Sequence, residues 1–308
     1  FLDVNFSVPT LLEMIGMAFG HSPVSKLSNS MNRLSQFLVN LSICIGFSTL
    51  QAQNPFVIDS TLSSIFLHTN THSIANTIQI ADVNNDTIND LILSGYDSTR
   101  FGVFFDVIHG NSDGSLSVAT QSNFITFTDT IAKYIGGIGG IDLVDVNRDG
   151  WIDAYLTGSA QSKVFINSGG LFSPSTKLES MTLTYSDGKW GDVNMDGLPD
   201  LFIMGADQIQ DVIINELYIN DGINLNKDES TIFPGLFNGS SIWGDYDNDG
   251  DPDLIICGQT ADKTASVTRF YQNDPIGRLT ELTSADEIVG LKAGTFKFVD
   301  LDSDGDQD

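Results

Sequence analysis

Cysteine is nearly absent from this chain: 308 residues hold two, Cys44 and Cys257. Basic residues are also scarce, 14 Lys and Arg against 40 Asp and Glu, for a net charge of −26. That balance excludes nucleic-acid binding, which needs a cationic face to release counterions. It equally excludes electrostatic docking on anionic lipid. Histidine occurs four times, as His21, His68, His72 and His109. His21 precedes the leader described below, and His68 and His72 fall in a polar stretch. No Gly-x-Ser-x-Gly nucleophile elbow is present. Gly136-Gly137-Ile138-Gly139-Gly140 leads into an acidic loop rather than a helix, which argues against a phosphate loop. Only one extended apolar run occurs, Phe37 to Phe47, and it contains Asn40 and Ser42. It is too short for a membrane span, which needs ~20 residues.

That run has another reading. Met31-Asn32-Arg33-Leu34 is a cationic start, Phe37 to Phe47 an apolar centre, and Ser48 to Ala52 a polar end with a small residue. This is the order of a secretory signal peptide, with cleavage expected after Ala52. Cys44 as a lipid-modified residue is disfavoured, because Ile43 is too large for that cleavage. Residues 1–30 read as an upstream extension outside the native fold, 31–52 as the signal peptide, and 53–75 as the start of the mature chain. One cysteine then remains, so an internal disulfide is excluded. Cys257, in Leu254-Ile255-Ile256-Cys257, is expected to be a small core residue. An exported chain without disulfides needs another source of stability, and bound metal is one.

The remaining composition is that of a folded β protein. Hydrophobic residues make up 41% and aromatics 10%, which excludes disorder. A nine-residue pattern recurs five times, starting at Asp82, Asp145, Asp192, Asp245 and Asp300. The intervals of 63, 47, 53 and 55 residues indicate one supersecondary unit per repeat. A strand-like segment leads into each copy, and an apolar one follows: Leu91-Ile92-Leu93, Ala154-Tyr155-Leu156, Leu201-Phe202-Ile203-Met204 and Leu254-Ile255-Ile256. Each runs into a glycine, Gly95, Gly158, Gly205 or Gly258. A third element closes on Asn167, on Asn220-Asp221-Gly222 or on Asn273-Asp274, which reads as hairpin-turn chemistry. Four short strands per repeat predict an all-β fold over 76–308, a β-propeller of four-stranded antiparallel blades.

The nine residues supply oxygen at alternate places. Position 1 is Asp82, Asp145, Asp192, Asp245 or Asp300. Position 3 is Asn84, Asn147, Asn194, Asp247 or Asp302. Position 5 is Asp86, Asp149, Asp196, Asp249 or Asp304. Position 9 is Asp90, Asp153, Asp200, Asp253 or Asp308. The main-chain carbonyl of position 7 (Ile88, Trp151, Leu198, Asp251 or Asp306) can join them. A hard, all-oxygen shell of this kind suits Ca²⁺, giving up to five calcium sites. Glycine at position 6 allows a positive φ, except in the first copy, where Thr87 stands. Imidazole and thiolate are absent from the loops, which argues against zinc or copper. An EF-hand would need Glu at position 12, where Leu93, Leu156, Ile203 and Ile256 stand. The loops hold nineteen of the forty acidic residues. Without a cation, neighbouring carboxylates at ~4 Å repel by roughly 1 kcal/mol per pair even in water.

The stretches 191–201 and 243–254, with their flanking strands, resemble FG-GAP/VCBS repeats, which build the integrin-α-like β-propeller and occur in many exported bacterial proteins. The resemblance covers about 60–308. It implies calcium in the loop between the first and second strands of each blade. It also implies a ring of about seven blades, of which this sequence supplies an incomplete arc of four to five. Ligands would meet the opposite face, through 94–100, 157–163, 205–211 and 258–265, with Tyr96, Arg100, Gln161, Lys163, Gln208 and Lys263 as candidates. The function expected is recognition or adhesion outside the cell, secreted or at the surface, with a protein or glycan partner. No catalytic constellation emerges, which favours a non-enzyme. Alternatives are the propeller portion of a polysaccharide lyase or hydrolase, and a spacer in a large adhesin.

Overall fold

The computed structural model describes residues 78–97, 102–118, 138–158, 162–207, 210–282 and 290–299. The upstream extension, the leader, the start of the mature chain and the fifth loop, 300–308, lie outside these residues. The described secondary structure is four antiparallel sheets of four strands each, in sequence order, with no helix among them. The first blade comprises β1 (Ile78–Ala81), β2 (Asp90–Asp97), β3 (Gly102–Gly110) and β4 (Leu116–Val118). The second comprises β5 (Ile138–Val144), β6 (Asp153–Gly158), β7 (Lys163–Ser168) and β8 (Leu171–Pro174). The third comprises β9 (Leu183–Gly191), β10 (Asp200–Asp207), β11 (Val212–Asn220) and β12 (Leu225–Lys227). The fourth comprises β13 (Leu236–Gly244), β14 (Asp253–Thr260), β15 (Ser266–Gln272) and β16 (Thr280–Glu281). Among the described residues the sheets do not close on one another, and they form an open arc of a β-propeller.

The second strands show why the apolar runs after each loop are continuous rather than alternating. Each is buried on both faces. Tyr155 of β6 packs with Leu183, Leu201 and Ile203 of the next blade. Its neighbours Ala154 and Leu156 pack with Ile92, Phe105 and Val107 of the preceding one. β10 repeats this, with Leu201 and Ile203 facing back and Phe202 and Met204 facing Leu236, Leu254 and Ile256. The core is thus a series of layers between sheets, each buried large side chain contributing about 1.5–3 kcal/mol. Cys257 is fully buried in β14, as its surroundings in the sequence predict.

First strands lie side by side: β1 beside β5, β5 beside β9, and β9 beside β13. Polar bonds tie them. Gln79 donates to the Ile141 carbonyl at 2.8 Å, and the Trp190 amide donates to Asp142 at 2.9 Å. The Ser241 amide donates to Asp187 at 2.8 Å, and Lys189 lies 3.4 Å from Asp142 and 3.6 Å from Asp187.

The glycines that follow the apolar runs fall mostly inside the second strands. β10 and β14 run on through Gly205 and Gly258, and β2 runs on through Gly95; only β6 ends at its glycine, Gly158. In the last three blades the facing first strand carries a bulge at this level. In two of them the bulge holds a non-glycine residue at positive φ, Tyr185 at 50° and Asn238 at 54°. The bulge presses the first strand against the second. A Cβ on Gly205 would sit 2.7 Å from the Ser186 side chain, and one on Gly258 2.8 Å from the Phe237 carbonyl oxygen. Ala293, seven residues before Asp300 as Tyr185 is before Asp192, has φ 53°, and its amide donates to the Asn238 carbonyl at 2.7 Å. The segment 290–299, which forms no regular strand, thus repeats this positive-φ position.

Candidate metal centre

All four described loops join the first strand of a blade to its second, so they lie at one end of the sheets. Each is wound by its own carboxylates. The position 1 carboxylate accepts from the amide of position 6: Thr87 to Asp82 at 2.7 Å, Gly150 to Asp145 at 2.8 Å, Gly197 to Asp192 at 2.7 Å and Gly250 to Asp245 at 3.0 Å. The position 5 carboxylate accepts from the amide of position 7, at 2.8 Å for Asp86, 2.9 Å for Asp149, 2.8 Å for Asp196 and 3.2 Å for Asp249. Position 6 has positive φ throughout: 87° at Gly150, 85° at Gly197, 97° at Gly250 and 72° at Thr87. The first loop therefore forms without its glycine, and a β-branched residue carries the strain.

The position 9 aspartate is the most constrained. One of its oxygens accepts from the amide of position 2: Val83 to Asp90 at 3.1 Å, and Val146, Val193 and Tyr246 to Asp153, Asp200 and Asp253 at 3.0 Å each. The other accepts from an amide at the end of the third strand: Gly110 at 3.0 Å, Asn167 at 2.7 Å, and Asn220 and Asn273 at 2.8 Å each. The carboxylate thus locks three strands. Burial pushes Asp153 and Asp200 up to about 6, against the lowering effect of these amide bonds. Asp251 is also raised to about 6, by burial and then by the Asp249 charge.

The asparagines at the ends of the third strands do more than serve the turn, in which the Gly222 amide donates to Asn220 Oδ1 at 3.0 Å. Their side-chain nitrogens also cross to the preceding blade. Asn167 donates to the Val83 carbonyl at 2.8 Å, Asn220 to the Val146 carbonyl at 2.9 Å and Asn273 to the Val193 carbonyl at 2.8 Å. The acceptor is always position 2 of the preceding loop. Asn167 and Asn220 also donate within their own blades, to Ile152 at 3.0 Å and Pro199 at 3.1 Å, just before position 9. One amide therefore links two successive loops. The partners lie 74 to 84 residues away, so only the recurrence of Asn after the strand could have flagged them. The first blade has Gly110 here, where a Cβ would lie 2.4 Å from the Asn89 carbonyl oxygen.

One imidazole comes near a loop from outside it. No histidine lies within the loops, but β3 brings His109 against the first. Its Nδ1 is 3.2 Å from Asp90 and 3.3 Å from the Asn84 side-chain nitrogen.

The residues fit a hard cation. In the fourth loop, oxygens of Asp245, Asp247 and Asp253 lie within 4.8 Å of one another. Asp251 Oδ1 and Asp192 Oδ1 are buried without a hydrogen-bond partner. Such atoms are costly unless a cation, a proton or a donor meets them.

The FG-GAP-like repeat family matches residues 145–203 and 192–256. The chain carries FG-GAP-like repeats. The matched segments span the second to fourth loops, strands β6 to β13 and the start of β14. A solved structure of an Agrocybe aegerita lectin, described as specifically recognising non-reducing terminal N-acetylglucosamine, aligns at 15% identity and TM-score 0.43. The alignment covers 67% of this chain and 52% of that one, so the chain spans about half the lectin's length. No curated protein matches the chain.

At the opposite end of the blades, Lys163 begins β7, and Lys263 sits in the turn from β14 to β15. Lys263 Nζ lies 5.9 Å from the centroid of the Phe237 ring, which stands edge-on to exposed Tyr185 at 6.1 Å. Tyr96 lies near the end of β2. Arg100, Gln161 and Gln208 fall outside the described residues. No described helix is long and apolar enough to cross a membrane.

Proposed function

We propose that the chain is an exported calcium-binding β-propeller whose loops fasten the blades, and whose opposite face recognises an extracellular protein or glycan. The convergence of the Asp245, Asp247 and Asp253 carboxylates in a loop repeated in register carries the calcium reading. FG-GAP-like repeats are typical of extracellular proteins, which supports the location. Positions 1, 3, 5 and 9 would hold the ion through side chains, and position 7 through its carbonyl. The ion would supply charge neutralisation and cross-linking, and no bond-breaking chemistry is asked of it. The Asp153 and Asp200 carboxylates hold the strand ends, and Asn167, Asn220 and Asn273 carry each loop's position to its neighbour. Exposed Tyr185, with Phe237 and Lys263, offers an apolar ring and a cation to a sugar face or a protein side chain.

The test is thermal unfolding in calcium and then in chelator. At a hundredfold excess over Kd, each occupied site adds about 2.7 kcal/mol. A large rise in Tm that falls when Asp196→Ala and Asp249→Ala are introduced supports the reading. Equal Tm values in the two conditions would overturn it. Binding to protein and glycan panels in calcium, lost in Tyr185→Ala with Lys263→Ala, tests the recognition face.

A further inference from the structure

The turns from third to fourth strand lie at the same end of the blades as the acidic loops, and two of them carry an exposed isoleucine. Three residues past the third-strand residue whose amide holds position 9 stand Asp113 in the first blade, Gly170 in the second, Ile223 in the third and Ile276 in the fourth. Asp and Gly are ordinary turn residues. The isoleucines are not, and they are 75% and 80% exposed. A carboxylate fixes the backbone around each. Asp221 accepts from the amides of Ile223 at 2.8 Å and Asn224 at 2.6 Å, and Asp274 from those of Ile276 at 3.1 Å and Arg278 at 2.9 Å. The two turns bracket the third loop. A Cβ on Gly222 would lie 3.7 Å from Leu198 Cδ1, and one on Gly277 2.9 Å from the Asn194 side chain. On the loop between those contacts, Met195 is 52% exposed at φ 56°. Asn is the cheaper residue in that conformation, and it stands there as Asn85 and Asn248 in two other loops.

These apolar side chains are set among negative charge. The four described loops hold fourteen aspartates, and Asp221 and Asp274 stand beside the isoleucines, against Arg148, Lys177 and Arg278. The amides of Asn224 and Ile223 hold the Asp221 carboxyl below the usual carboxylate range, so it stays charged. Lys177 is engaged with the Gly222 carbonyl at 2.7 Å. We propose that the third loop, with Ile223, Leu198, Met195 and Ile276 around it, is a docking surface for a cationic amphipathic segment of a protein partner. Basic side chains of that segment meet the aspartates, and apolar ones meet the isoleucines and the methionine. Exposed apolar side chains gathered at one place mark interaction sites, and complementary charge selects the partner. A second copy of this chain would set one acidic end against another, and an anionic lipid surface is repelled in the same way. This surface is separate from the recognition face at the opposite end of the blades. It does not depend on the calcium reading, because one divalent ion leaves the three aspartates of the third loop with an unneutralised charge.

The experiment measures binding of labelled synthetic peptides to the full chain by fluorescence anisotropy, at physiological salt, in calcium and in chelator. The probes are a Leu–Lys repeat, a Ser–Lys repeat of the same length and charge, and a Leu–Glu repeat. Wild type is compared with Ile223→Ser plus Ile276→Ser, with Met195→Asn, and with Ile232→Ser. The last removes an isoleucine that is 90% exposed in the linker from β12 to β13. The expected result is binding of the Leu–Lys peptide in both conditions, at least about tenfold tighter than the other two peptides. Its affinity should be at least about tenfold weaker in the double isoleucine variant, weaker in Met195→Asn and unchanged in Ile232→Ser. All the substituted side chains are exposed, so each variant should melt as wild type does. Equal affinity in the double variant and the wild type, or a Ser–Lys peptide bound as tightly as the Leu–Lys one, would overturn the inference. Leu–Lys binding that calcium abolishes would also overturn it. So would concentration-dependent self-association of the wild type in sedimentation that the double variant loses, since the occupant would then be a second copy.

Discussion

Replacing Asn220 by Ala tests the link between blades. The side chain is fully buried and donates to two carbonyls, Val146 at 2.9 Å and Pro199 at 3.1 Å. Alanine leaves both acceptors in a space too small to rehydrate well. An orphaned buried acceptor costs about 1–3 kcal/mol. The main-chain amide of residue 220 still serves Asp200, so the loss falls on the two carbonyls, about 2–6 kcal/mol in all, and on the exposed Gly222 amide, which donates to Asn220 Oδ1 at 3.0 Å and can turn to water. For a chain of this size about 1 kcal/mol moves Tm by roughly 2–4 °C, so a fall of about 5–20 °C is expected. Asn220→Asp should be worse at neutral pH, since it sets a buried carboxylate against two carbonyls and Asp200. Asn226→Ala is the control, because Asn226 is exposed and donates to Asp221 at the surface. Urea and thermal unfolding, each in chelator, are the assays. A loss below about 0.5 kcal/mol in Asn220→Ala, or an Asp variant as stable as wild type, would refute the reasoning.

Other outcomes follow from single features. Thr87→Gly should raise stability by about 1 kcal/mol, since Thr87 sits at φ 72° where glycine carries no strain; an unchanged urea midpoint would contradict this. Gly188→Ala should cost about 1–3 kcal/mol, because its Cβ would lie 2.2 Å from the ring of buried Tyr155; a wild-type Tm would show that the ring can yield. Asp153 and Asp200 are raised to about 6 in the folded chain, from an unfolded value near ~4. Between those values the folded chain holds more protons than the unfolded one, so in chelator stability should fall as pH rises from about 4 to above 6. Asp262, held down to about 2 by Thr260 and Thr264, loses its contribution only below that window. The Tm gained from calcium should grow over the same interval, and melts at pH 4.5 and 7 with and without calcium would check it.

The parts legible in the sequence are those whose partners lie close along the chain. The oxygen ligands of a loop sit within nine residues, so Asp145 to Asp153 announces itself. The doubly buried β10 and β14 also read directly, as unbroken apolar runs. Distant contacts left weaker marks. Asn220 is ordinary turn chemistry until the Val146 carbonyl is placed beside it. His109 becomes part of the first loop only through the hairpin that folds β3 back along β2. Tyr185 and Asn238 adopt positive φ without being glycine, so the bulge they form was silent, and Gly205 and Gly258 alone do not reveal the room they give it. Thr87 shows the reverse, a turn that keeps its shape without the residue that favours it.

The asparagine that joins each blade to the one before it always grips a main-chain oxygen. The side chains above that oxygen are Val83, Val146 and Val193, but none of them forms the bond. The bond itself is made to the backbone, while the valine that carries the oxygen is held by its own burial in the layer between blades. The joint thus combines a main-chain contact that any residue could offer with an apolar side chain that the core requires. Length and surface chemistry can then change from copy to copy while the joint between copies stays the same.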